Sequence, residues 1–304
     1  MIHLALASSS SPLSYFQAII LGLLQGVTEL FPISSLGHTV LFPTLFGWHN
    51  LVAAQSASES FWLAFVVLLH VGSALGLLAY YWRDWVEIIV AFFHTLTTRR
   101  ISTPTERLAW LIIVASIPAA VFGLAFEHDL RTITAKPEIA SIFLVVNGFL
   151  LLGAELARRR AAVRELAIRE GAKADGGREL DTLDFREAGL IGVAQSTALI
   201  AGISRDGVCM GSGLARGLDH SDSARFAFLL ATPIILGAGI VKIGDITGPH
   251  GNGIRGQALV ACLVAAVAAL FTVRFLVRWF RSRTLTPFAV YCLLFGTAMV
   301  VYNA

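Results

Sequence analysis

Apolar and polar positions along this chain fall into long blocks, not into the short alternations of a water-soluble fold. Six stretches, at 61–82, 108–126, 139–154, 226–241, 256–273 and 284–304, hold no Asp, Glu, Lys or Arg and run 16 to 22 residues each. Roughly 20 apolar residues carry a helix across the hydrocarbon core of a bilayer, and helices satisfy their own backbone polar groups there. The pattern therefore predicts six membrane-spanning helices. Aromatics bracket the first: Phe61 and Trp62 before it, Tyr80, Tyr81 and Trp82 after it. Such amphipathic rings favour the interface. A further stretch, 85–96, is apolar but short and carries Glu87, which predicts an interfacial or partly inserted helix.

Two more apolar stretches are interrupted. LGLLQGVTELFPISSLGH occupies 21–38 and IGVAQSTALIAGISRDGV occupies 191–208. At an offset of 170 they match at Gly22/Gly192, Gln25/Gln195, Ile33/Ile203, Ser34/Ser204 and Gly37/Gly207. Pro32 falls opposite Gly202, and both residues stop a helix. Three spans follow each stretch. Three is odd, so the two halves enter the membrane in opposite directions. The predicted fold class is all-α integral membrane, with two inverted-topology repeats, each a re-entrant helical hairpin plus three transmembrane helices. The first repeat covers 1–157 with its hairpin at about 17–47. A cytoplasmic linker follows at 158–184, and the second repeat covers 185–304 with its hairpin at about 188–216. The plainer alternative is two ordinary kinked helices that resemble each other by chance.

Composition agrees with the pattern. The chain of 304 residues is 56% hydrophobic and 14% charged, with a mean hydropathy of +0.73. A soluble domain is about a quarter charged. The net charge of +3 is too small to suggest nucleic acid. Its distribution says more. Arg83, Arg99, Arg100 and Arg107, eight basic residues between 158 and 186, and Arg274, Arg278, Arg281 and Arg283 all fall on one side of the predicted spans. The other side has Arg131, Lys136, Lys242 and Arg255. The basic side is then cytoplasmic, and both termini face outward. Cys209, Cys262 and Cys292 are few and far apart and read as packing residues. The N-terminus lacks a basic n-region and does not read as a cleaved signal.

Candidate chemistry gathers at the two interruptions, with Glu29, Ser34, Ser35 and His38 in the first and Ser204, Arg205 and Asp206 in the second. A charge among apolar residues costs a few kcal/mol or more unless paired, so these are functional candidates. A guanidinium at Arg205, beside a break with free helix N–H groups, suits a phosphate, with Ser34, Ser204, Gly207 and Gln25 as further phosphate-binding groups. Gln25 and Glu29 are four apart and share a helix face. A carboxylate there can hold a hard divalent cation or deprotonate a nucleophile. Ser35 and His38 have the types of a nucleophile and its base. Together they indicate phosphoryl cleavage or transfer at the membrane. A purely structural Glu29–Arg205 ion pair would leave the hydroxyls and the imidazole unexplained. His70 reads as a packing residue that could line a cavity with Asn147.

QGVTELFPISSLGH resembles the first signature of the bacterial undecaprenyl-diphosphatase family of the bacitracin-resistance type, in which a Glu or Gln precedes a Glu by four and a Pro-x-Ser-Ser-x-Gly-His run follows. AGISRDGVC resembles its second signature, Pro-Gly-x-Ser-Arg-Ser-Gly-x-Thr. FAFLLATPIILGA and SIPAAVFGLAF match in style and order, so the resemblance spans nearly the whole chain. It implies hydrolysis of undecaprenyl diphosphate to the monophosphate and phosphate, recycling the lipid carrier of cell-wall synthesis in the bacterial inner membrane. It also implies a site facing outward, a divalent cation (Mg2+ or Ca2+) and a homodimer. By position, Glu29 would be metal ligand or base, Ser35 nucleophile, His38 its acid/base partner and Arg205 the phosphate clamp. Gln25 stands at the first acidic position and joins Glu29 in the cation set. The chain departs from the pattern at Ala201, Asp206 and Cys209. Asp206 is expected to return the negative charge that Gln25 lacks, as a further candidate cation ligand. The motifs leave serine and water both open as the attacking group. A transporter or flippase for a polyprenyl phosphate or related anionic lipid is the competing reading, since inverted repeats are common there. A lipid phosphatase of the acid-phosphatase type is disfavoured, because no His closely follows Ser204 and Arg205.

Overall fold

The computed structural model describes residues 11–56, 61–134, 136–168, 178–242, 244 and 247–304. Among these the secondary structure is helical, with no strand. The α-helices among the described residues are α1 Tyr15–Thr28, α2 Ser35–Leu45, α3 His49–Ser56, α4 Phe61–Tyr80, α5 Trp82–Thr98, α6 Pro104–Thr134, α7 Pro137–Ile168, α8 Phe185–Gln195, α9 Arg205–Ala215, α10 His220–Val241, α11 Arg255–Trp279 and α12 Thr286–Asn303. Six of them, α4, α6, α7, α10, α11 and α12, are long and apolar enough to cross a membrane. They correspond one to one with the six charge-free stretches. The protein is a multi-pass membrane protein, and its outward surface agrees, with Leu263, Val267 and Phe271 of α11 and Leu294 and Val301 of α12 exposed where lipid would be.

α5 is the short apolar stretch of the sequence. It packs on α6 through Ile88 and Thr95, whose hydroxyl accepts a hydrogen bond from the Trp110 indole at 3.0 Å. α7 continues to Ile168, so the charged linker begins as a helix. Residues 169–177 of that linker lie outside the described residues.

Close helix packing rests on small residues, as expected where lipid removes any hydrophobic gain between helices. α11 lies between α1 and α4. Gly22 and Gly26 of α1, and Gly72 and Gly76 of α4, meet the backbone of its alanine-rich faces. A Cβ on Gly22 would come within 2.6 Å of the Ala261 carbonyl oxygen. α12 meets α7 in the same way at Gly148 and Gly296.

The two interrupted stretches are helix–break–helix units. Ser14 caps α1 in a capping box with Gln17. The helix ends at Glu29 because Pro32 cannot continue it, and α2 begins after Ser34. In the second unit Asp184 caps α8, again with a capping box, a single 3-10 turn spans Ser196–Leu199, and α9 begins after Ser204. Each unit ends beside its own beginning. Asn50 donates to the Pro12 carbonyl at 2.8 Å, and Arg178 and Gly217 pair through their backbones at 2.8 Å.

Candidate active site

The breaks meet each other. Gly202, at φ +104 where a side chain would be strained, donates its N–H to Ser34 Oγ at 3.1 Å. The same oxygen accepts from Gly37 N–H at 3.2 Å, so Ser34 caps α2 and ties the second break to the first. Asn147 of α7 fastens the junction from behind. Its amide donates to the Pro32 carbonyl at 2.9 Å and its oxygen accepts from Ser204 N–H at 2.9 Å. Ser204 in turn caps α9 through Gly207 N–H at 3.0 Å. The matched pairs of the sequence repeat thus do matched work: Ser34 and Ser204 are both caps, and Gly37 and Gly207 are both the donors they accept from.

One residue past each cap stand Ser35 and Arg205. The offset that aligns the caps also aligns these two, so each begins a helix whose N-terminus faces the junction. The positive ends of the two helices favour an anion between them. Both line a cavity of about 320 Å³, with Glu29, Ser34 and Ser204. Much of the remaining wall is apolar, including Leu63, Val67, Leu199 and Ile234.

Glu29 is the electrostatic centre. Its Oε1 accepts from Arg205 Nη2 at 2.5 Å, across 176 residues of chain. Its Oε2 accepts from Gln25 Nε2 at 2.8 Å and from the Ser35 hydroxyl, and His70 Nε2 is 3.4 Å away. Arg205 also donates to the Ala231 carbonyl at 3.2 Å. Both charges are thus held where neither could be carried alone.

The other candidates stand apart from the cavity surface. Gln25 is fully buried behind Glu29, and its Oε1 has no hydrogen-bond partner. Asp206 is also fully buried and off the cavity lining. Its Oδ1 lies 3.7 Å from Arg205 Nη2, and neither oxygen accepts a hydrogen bond. It therefore sits beside the arginine and does not face the space where a phosphate would enter. His38 turns away as well: Nδ1 is 2.7 Å from the Ser34 carbonyl and Nε2 is 2.7 Å from the Tyr291 hydroxyl. The Ser35 hydroxyl bonds to Glu29, not to His38. Gly207 serves the cap. His70 makes the packing bond expected of it, Nδ1 to the Val66 carbonyl at 2.8 Å, yet it lines the cavity too. Asn147 braces the junction instead of lining the cavity. Gln55, which also lines it, has no signal in the sequence that distinguishes it from a surface glutamine.

Ser34 has φ +71 and ψ +96, a region that costs a side-chain-bearing residue about 1–3 kcal/mol. Among the described residues the other non-glycine with positive φ is Arg99, an exposed helix end. Strain at the junction is thus concentrated in the residue that precedes Ser35.

Comparison with known proteins covers nearly the full length. Residues 18–298 match the family model described as bacitracin resistance protein BacA. A protein of Mycolicibacterium paratuberculosis named undecaprenyl-diphosphatase is 50% identical over 96% of this chain and 98% of its own. One of Frankia alni named undecaprenyl-diphosphatase 2 is 48% identical over 95% and 98%, and one of Acidiphilium cryptum named undecaprenyl-diphosphatase is 39% identical over 93% and 96%.

Proposed function

The chain belongs to the BacA bacitracin resistance family, and on that footing we propose that it hydrolyses undecaprenyl diphosphate to undecaprenyl phosphate and inorganic phosphate. The names of its relatives favour this hydrolase over the transporter reading. The observation that carries the proposal to particular residues is the Glu29–Arg205 pair with Ser35 on the same carboxylate, inside one cavity.

The terminal phosphate enters between the starts of α2 and α9. Arg205 moves a donor from Glu29 to the phosphate, which it can meet with two parallel N–H groups. Losing that donor makes Glu29 a stronger base at the moment substrate is bound. Ser35 Oγ attacks the terminal phosphorus and its proton passes to Glu29. The bond from that phosphorus to the bridging oxygen breaks, and the electron pair leaves with the lipid monophosphate. Water then attacks the phosphoserine, phosphate departs, and Glu29 returns the proton to Ser35.

A divalent cation suits this site if it arrives with the substrate. Among the described residues no group of three or more His, Cys, Asp or Glu is placed to hold a metal by itself. Glu29, on the cavity wall, offers a hard oxygen ligand; Gln25, behind it, would reach the ion only by turning its unpartnered oxygen toward the cavity, and diphosphate oxygens would supply the rest, as is usual for Mg2+. When bound, the ion would neutralise charge on the phosphate oxygens.

We further infer the inverted-repeat architecture, in which 1–157 and 185–304 are the halves, each helix–break–helix unit is a re-entrant hairpin, and 158–184 is a cytoplasmic linker. Reciprocal packing supports it. Gly22 of α1 lies against Ala261 of α11, and its repeat mate Gly192 of α8 lies against Ala115 of α6. With the basic loops cytoplasmic, the site faces outward from the inner membrane and both termini lie outside. The cavity wall fits that orientation. Leu63, Val66 and His70 come from the first half of α4, and Ile234, Ile235 and Ala238 from the second half of α10, which the charge pattern of the loops makes the outer halves of two oppositely directed helices.

The test is phosphate release from a short, soluble prenyl diphosphate by purified protein in detergent, and by protein oriented in sealed vesicles. We expect release that a chelator stops and Mg2+ or Ca2+ restores, with substrate supplied on the outer side sufficient. Absence of release from folded wild type would overturn the assignment.

A further inference from the structure

Of the two imidazoles near the junction, His70 borders the cavity and His38 does not. His38 is fully buried. Both of its nitrogens are engaged, and the partners fix the tautomer. A carbonyl oxygen only accepts, so Nδ1 carries a hydrogen toward Ser34. Nε2 then offers its lone pair, and the Tyr291 hydroxyl donates to it. The ring is further clamped on α12, stacked on Tyr291 with centroids 5.7 Å apart and on Phe295 at 5.4 Å. Neither ring nitrogen is directed at Ser35.

What His38 does hold is Ser34, the residue in the strained conformation. The Ser34 carbonyl accepts from both His38 N–H, at 3.2 Å, and His38 Nδ1. Its hydroxyl is pinned by Gly37 and Gly202. A conformation this rare persists only where its surroundings over-determine it. Here the overdetermination ends at Tyr291 on a spanning helix. The Ser34 backbone sets where α2 starts, and so sets where Ser35 points.

We propose that His38 is a positioning residue: acting through Ser34 and braced by Tyr291, it fixes the twisted turn that aims the Ser35 hydroxyl at Glu29, and it transfers no proton in the reaction. The proposal rests on the assignment of Ser35 and Glu29 above. It also gives His38→Asn a particular meaning. The Asn amide nitrogen occupies nearly the place of Nδ1 and can donate to the same carbonyl, but it cannot exchange a proton.

The experiment compares wild type, His38→Asn, His38→Ala and Tyr291→Phe for prenyl-diphosphate hydrolysis across pH, each first checked for a monodisperse profile and thermal stability in detergent. Losing a true general acid or base costs about 10²–10⁴-fold. We expect His38→Asn to keep kcat within about tenfold of wild type with KM and the shape of the pH profile preserved, His38→Ala to lose about 10²-fold or more in kcat, and Tyr291→Phe to lose a few-fold. A folded His38→Asn as inactive as His38→Ala, or one that has lost a limb of the pH profile, would overturn the proposal. Tyr291→Phe decides the matter if the His38 variants do not fold. Removing the brace slows a positioned Ser35, whereas it would free Nε2 of an acid–base histidine, and unchanged or faster turnover would contradict us. Inactive wild type would instead count against the functional assignment itself.

Discussion

At Glu29 two oxygens serve an arginine, an amide, a hydroxyl and an imidazole. Every candidate role in the site passes through that carboxylate, so its charge balance is the quantity to perturb. Gln25 contributes an amide where the resemblance leads one to expect either amide or acid. Asp206 supplies a carboxylate from the other repeat, beside Arg205. Its charge therefore reaches the site through the arginine. Asp206→Ser is expected to lower kcat/KM by about tenfold or more, and Gln25→Glu added to it to recover most of that, a coupling within the usual range for residues in one charge network. Equal activity in Asp206→Ser and the double variant would rule the compensation out. Glu29 and Arg205 were legible as charges stranded in apolar sequence. The inward turn of His38 and the bracing by Asn147 were not, because their partners Tyr291, Pro32 and Ser204 lie 253, 115 and 57 residues away.

The helices follow the hydrophobic blocks closely, and differ where charge begins. Charge-free stretches end at Phe126 and Ala154, but α6 and α7 run on to Thr134 and Ile168. In α7 the added residues are mostly Arg, Ala, Glu and Leu, good helix formers, so that helix continues after the membrane requirement has ended. The 85–96 stretch lies within a helix of 17 residues, Trp82–Thr98, shorter than the six long apolar helices. Repeat identity is most testable in the glycines. An added methyl at Gly22 or at Gly192 would drive into the backbone of a facing helix, at Ala261 or Ala115. Gly22→Ala and Gly192→Ala are each expected to destabilise by about 1–3 kcal/mol, the usual cost of overpacking, and by similar amounts. Thermal unfolding in detergent would reveal the pair. A large loss at one and none at the other would argue that the repeat is not matched in its packing.

On the scale of the molecule, the two broken units are each an incomplete site. One brings the carboxylate and the hydroxyl, and the other brings the guanidinium; each supplies one helix N-terminus. Joining them buries charge that neither unit could bury alone and leaves a cavity with an apolar wall beside it. The most direct test is kinetic, by phosphate release from a short prenyl diphosphate with Glu29→Gln, Arg205→Ala and the two combined. Residues that act as one unit are strongly non-additive. We predict that each single change lowers kcat/KM by about 10²-fold or more and that the combination is no worse than the more damaging single change. Losses that multiply in the double variant, or a single variant that remains near wild type, would contradict a shared site.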